Sequence, residues 1–94
     1  MRPMTTTHVP VFATLSPQLD HDDRVRLVEP AIGYLVRVTL RWRMEPFGWT
    51  VEGTVIGVAR LGTTGMEPKA VLVLMVGRQL QAVTLAGIER WRRI

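Results

Sequence analysis

The sequence predicts a mainly β (α+β) domain in which one N-terminal helix precedes a small five-stranded barrel. Three observations carry this. Tyr34, Val36, Val38, Leu40 and Trp42 alternate with Leu35, Arg37, Thr39, Arg41 and Arg43. Gly53 and Gly57 interrupt a long strand-like stretch over 49–61. Turn chemistry at 45–48, 62–68, 77–78 and 86–87 cuts the rest of the chain into strand-length pieces. β-branched and aromatic residues at a period of two mark a half-buried strand. Interior glycines mark a bulge or sharp bend, the device by which a short sheet curls toward a barrel.

Residues 1–15 are Thr-rich, carry Pro3 and Pro10, and hold only a short apolar patch from Val9 to Leu15. An extended or partly disordered arm is expected there, leaving residues 16–94 as the single folded domain. Ser16-Pro17 reads as an N-cap followed by proline at the first helical position, and Asp20, Asp22 and Asp23 suit the positive helix end. A helix over Pro17 to Val28 would turn Leu19, Leu27 and Val28 inward, and Pro30 would stop it. The competing reading takes Arg24-Val25-Arg26-Leu27 as an alternating strand. The strands then fall at 34–43, 49–61, 70–76 and 79–85, with 88–94 a short last strand or a helical turn. Gly77-Arg78 reads as a tight hairpin turn. Ala70 to Val76 is apolar throughout, so it must be central, covered by the helix, or used in self-association.

Ninety-four residues make one domain, which buries roughly 60–65% of the surface its unfolded chain exposes and so builds one modest core. A composition 47% hydrophobic and 21% charged excludes wholesale disorder. With no cysteine, neither a disulfide framework nor a thiolate metal site can form. The first residues lack the apolar stretch of a signal peptide. The longest apolar run falls well short of the roughly 20 residues of a membrane span. A soluble, cytoplasmic protein without membrane association is expected.

Charge is distributed unevenly. Residues 1–30 carry a net −1 and residues 31–94 a net +5, so the basic character belongs to the expected barrel. Eleven of the twelve cations are arginine, whose planar fork grips phosphate bidentately and stacks on bases; a GC-rich genome would leave the same bias.

The stretches Tyr34-Leu-Val-Arg-Val-Thr-Leu-Arg-Trp42, Val51-Glu-Gly-Thr-Val-Ile-Gly-Val58, Val71-Leu-Val-Leu74 and Val83-Thr-Leu-Ala-Gly-Ile88 together resemble the pattern of Sm-like and SH3-like small barrels. In that pattern a basic strand leads into a bent, glycine-containing strand and the last strand ends on a buried isoleucine. The YolD-like family is similar in also carrying an acidic helix before its barrel, here Pro17-Gln-Leu-Asp-His-Asp-Asp23. The Rho-binding antiterminator group is similar in the barrel alone. The resemblance implies a non-enzymatic binding module, with an origin in a phage or other mobile element and assembly through strand edges.

No constellation points to catalysis. His8 lies in the arm, Ser16 is the only serine, and no phosphate-binding glycine loop, H-E-x-x-H or G-x-S-x-G occurs. Asp20-His21-Asp22-Asp23 contains metal-ligand types, yet adjacent helical residues point in different directions, so an acidic helix start explains it better. No cofactor is expected. The basic residues are more informative. Arg37, Arg41 and Arg43 share one face of an alternating strand, and Arg90, Arg92 and Arg93 flank Trp91. Arginine clustered beside aromatic rings suits contact with DNA or RNA; a solvated strand face is the plainer alternative. Trp42 falls on the apolar phase and is expected in the core. Phe47 and Trp49 follow a turn and form the candidate contact for a protein partner, together with the 63–68 loop. A homo-oligomer built through the 70–76 strand is the third expectation.

Overall fold

A computed structural model of the chain describes residues 10–62 and 69–94. Among the described residues the chain forms six strands, one α-helix and two short 3-10 turns. The strands are β1 (Phe12–Thr14), β2 (Leu35–Met44), β3 (Gly48–Leu61), β4 (Lys69–Val76), β5 (Gln79–Thr84) and β6 (Ile88–Arg93), with helix α1 (His21–Val28) between β1 and β2. They build one antiparallel sheet in the order β1-β6-β2-β3-β4-β5. The fold is therefore mainly β with one short helix, as the alternation predicts. The expected closed, five-stranded barrel is not what forms: the sheet is open, with β1 and β5 at its two edges. The additional strand comes from the segment expected as an arm. Phe12, Ala13 and Thr14 pair with Arg92, Trp91 and Arg90, while residues 1–9 lie outside the described residues.

The helix begins later than Ser16-Pro17 suggests. The Ser16 hydroxyl instead accepts from the backbone N–H of Gln18 at 3.3 Å, closing a local turn. Asp20 takes over as N-cap, its carboxylate accepting from the Asp23 N–H at 2.9 Å. Asp22 and Asp23 then fill the first turn, where the helix dipole favours them. Pro30 does not stop the chain abruptly, because α1 runs on into the 3-10 turn Glu29–Ala31, where proline fits near the start.

Directly opposed residues in an antiparallel sheet share a face. One row is Ala13, Trp91, Val38 and Val51; it belongs to the inner face, where Trp91, Val38 and Val51 are essentially solvent-free. Val28 and Ala31 pack into the same cluster with Leu40, Leu72, Leu74 and Ile88, so α1 and its 3-10 extension cover this face. Trp91 ties sheet to helix directly: its indole Nε1 donates to the Leu27 carbonyl at 2.9 Å.

The run over 70–76 is interior to the sheet, paired with β3 on one side and β5 on the other. Leu74 is fully buried, so it cannot face a partner molecule. The interior glycines do what the sequence suggests. Register slips between Val55 and Gly57, leaving Ile56 as an extra, exposed residue opposite β4. At Gly53 the β4 backbone comes so close that a Cβ would sit 2.7 Å from the Met75 carbonyl oxygen. In the Gly77-Arg78 loop only the first residue has positive φ, at 61°, as a type II′ hairpin requires.

Candidate nucleic-acid interface

The opposite face of the sheet is built from the polar phase of the same strands. Its rows are Phe12, Arg92, Arg37 and Glu52, then Thr14, Arg90, Thr39 and Thr50. Adjacent strands lie about 4.8 Å apart, and residues two apart along a strand about 7 Å. Arg37, Arg90 and Arg92 are therefore near neighbours, although they come from two distant stretches of the chain. They line an open depression of about 540 Å³ together with Phe12, Thr39 and Thr50.

The electrostatics of this face are unbalanced. Arg37 pairs with its cross-strand neighbour Glu52, Nε donating to Oε1 at 2.7 Å. Both side chains are substantially solvated, so the pair adds little stability. On the other side Arg37 stands directly opposite Arg92, and like charges opposed in a sheet are destabilising. Among the described residues neither Arg90 nor Arg92 makes an ion pair. Phe12 adds an aromatic ring that is 64% exposed beside them. Two arginines without an ion-pair partner among the described residues, threonine hydroxyls and an open ring form a surface suited to an anion carrying flat apolar groups.

The other arginines are used elsewhere. Arg41 donates through Nη2 to the Leu15 carbonyl and so fixes the chain as it leaves β1. Arg43 pairs with Glu45 at 2.8 Å beside the β2–β3 turn. Arg93 lies on the inner phase, opposite Val36, with its guanidinium 3.8 Å from the centre of the Tyr34 ring. Arg41 and Arg43, expected to act with Arg37, thus make contacts of their own beyond Thr39. There β2 loses its register with β3 until Met44, and also slips against β6. Strict alternation cannot be carried through such an irregularity.

The same irregularity bears on Trp42. Trp42, expected in the core, is 51% exposed, with its six-membered ring against Gly87. Trp91, flanked by the candidate arginines, is 1% exposed and has no surface on which to stack a base. Phe47 is half-buried against the core, whereas Trp49 is exposed. The 63–68 loop, expected to act with them, lies outside the described residues. Phe12 is the contributor that sequence reasoning missed. The stretch Phe12-Ala13-Thr14-Leu15 carries no apolar–polar alternation and is too short to separate from an irregular segment.

No protein-family model matches this chain, and no curated protein or solved structure does either. No described helix is long and apolar enough to cross a membrane.

Proposed function

We propose that this chain is a non-enzymatic module that binds nucleic acid, preferentially single-stranded, across the outer face of β1, β6, β2 and β3. The observation that carries the proposal is the cross-strand apposition of Arg92 and Arg37, with Arg90 beside them and Phe12 exposed at the edge. A sheet that places like charges opposite each other gains when a phosphate bridges them. An exposed ring beside a basic groove is the recognised platform for unpaired bases.

Titrating a fluorescently labelled oligonucleotide at several salt concentrations tests the reading. Arg90→Ala/Arg92→Ala should weaken binding and flatten the log–log salt dependence by roughly 0.7 for each phosphate that is no longer neutralised. Phe12→Ala should weaken binding with the salt slope preserved, since stacking releases no counterions. A wild-type chain that binds neither DNA nor RNA at low salt would sink the proposal. The exposed Trp49 would then become the anchor of a protein-adaptor function, whose affinity varies little with salt.

Self-association belongs to the same proposal, through a different element from the one the sequence suggests. Because 70–76 is interior, the available edge is β5. It contains no charge or proline and exposes Leu80 at 60%.

A further inference from the structure

A second concavity lies apart from the arginine face, where the start of α1, the start of β4 and the turn after β5 converge. It measures about 410 Å³ and is lined by His21, Arg24, Trp42, Lys69, Thr84 and Ala86, among others. That volume falls within the roughly 300–1,000 Å³ typical of small-molecule sites. We propose that it binds a planar aromatic ring bearing a phosphate: a free nucleoside monophosphate, or the phosphorylated 5′ end of a single strand.

Trp42 supplies the stacking surface. Its six-membered ring is pressed against the Gly87 backbone, where an added Cβ would come within 2.5 Å of Cζ2. The indole is therefore held at a fixed angle while half of it stays open to solvent. An exposed tryptophan braced on backbone offers a π-face with little rotamer freedom left to lose. Cations surround it. Arg24 spends one Nη2 donor on the Pro17 carbonyl at 3.1 Å, which locates the guanidinium and leaves its remaining donors without a hydrogen bond among the described residues. Lys69, at the first position of β4, lines the same cavity. No described carboxylate lines the cavity.

His21 gives a further indication. Its Nε2 is screened from solvent and has no hydrogen-bond partner among the described residues, and a buried polar atom left in that state costs stability. Rotation of the imidazole would offer this nitrogen to an anion in the cavity. Aromatic floor, two flanking cations, an imidazole and the Thr84 hydroxyl together match a ring with a phosphate better than either fragment alone.

The test uses the full chain carrying Trp49→Phe, so that Trp42 is the exposed indole and Trp91 the buried one. Adenosine monophosphate should quench fluorescence saturably, with adenosine and ribose 5-phosphate each at least about tenfold weaker. Arg24→Ala and Ala86→Glu should each lower affinity by about tenfold or more. The second acts through charge at a partly exposed position, and an unchanged circular dichroism spectrum shows that both variants fold. Repeating the titration in Arg90→Ala/Arg92→Ala with 5′-phosphorylated and 5′-hydroxyl oligonucleotides separates this cavity from the arginine groove. Binding that persists there and requires the phosphate identifies a strand end as the ligand, and binding of the mononucleotide identifies a free nucleotide. Absence of saturable quenching by both, or quenching that Arg24→Ala and Ala86→Glu leave unchanged, overturns the proposal.

Discussion

Arginine and tryptophan dominate the chemistry of this chain, and the same residue type serves opposite purposes at different positions. Arg41 is a structural residue: its guanidinium satisfies the Leu15 carbonyl where the chain leaves the edge strand. Arg41→Ala removes that donor and should cost about 1–3 kcal/mol, lowering the urea midpoint while leaving the oligonucleotide affinity of the folded protein unchanged. Arg90 and Arg92 should behave in reverse, since exposed strand positions usually change stability by less than about 0.5 kcal/mol. Trp91 has the same duality with Trp42 and Trp49. Its ring is buried and its N–H is committed to the Leu27 carbonyl at 2.9 Å. Trp91→Phe leaves that carbonyl unpaired and a void beside it, for an expected loss of about 2–4 kcal/mol in denaturant unfolding. Loss of less than about 0.5 kcal/mol would mean that the indole does not hold α1 to the sheet.

The elements show which signals a sequence carries and which it does not. Strands β2 to β5 are legible because each has its own local signature: alternation in β2, glycines in β3, a wholly apolar run in β4, and a glycine turn before β5; β6 has none, which leaves 88–94 open between a strand and a helical turn. Strand β1 is not, because three residues at an edge gain their order from pairing with β6, about 80 positions away. The helix start is easily misplaced because Ser16 and Asp20 are both good caps, and only tertiary packing decides between them. At the candidate site, Arg37 is legible in one basic cluster and Arg90 and Arg92 in another, but neither their pairing across β2 and β6 nor the irregularity between Thr39 and Met44 has a local marker. The two β3 glycines offer a test at this scale. Gly53→Ala drives a methyl group against the Met75 carbonyl at 2.7 Å and the Val76 side chain at 3.0 Å. It should destabilise by about 1–3 kcal/mol, or roughly 4–8 °C in thermal midpoint per kcal/mol for a domain of this size. Gly57 has nothing within 4 Å of its virtual Cβ and no positive φ. Gly57→Ala should therefore be neutral or stabilise by up to about 1 kcal/mol.

At the scale of the molecule, an open sheet leaves two edges for the surface to manage. The β1 edge is only three residues long, and short edge strands are poor templates for pairing. The β5 edge runs six residues in unbroken register with β4 and contains no charge, proline or bulge. The two-residue hairpin loop makes Val76 and Gln79 the hydrogen-bonded pair nearest the turn. Alternation then directs the backbone N–H groups of Leu80 and Ala82 away from β4. A second copy pairing antiparallel about Gln81 would set Leu80 of each chain opposite Ala82 of the other and bury the exposed leucine. The expected outcome is a concentration-dependent dimer in light scattering at micromolar protein. Leu80→Lys should abolish it, because it removes the apolar side chain the pairing covers and puts a charge on the edge strand of each copy. Ala82→Pro should abolish it too, because proline removes a donor that β4 does not use. Leu74→Lys cannot serve as this test, since burying a lysine in the core unfolds the domain before association can be read. A mass that stays monomeric across concentration, or a dimer that survives both edge variants, would show that β5 is not the interface.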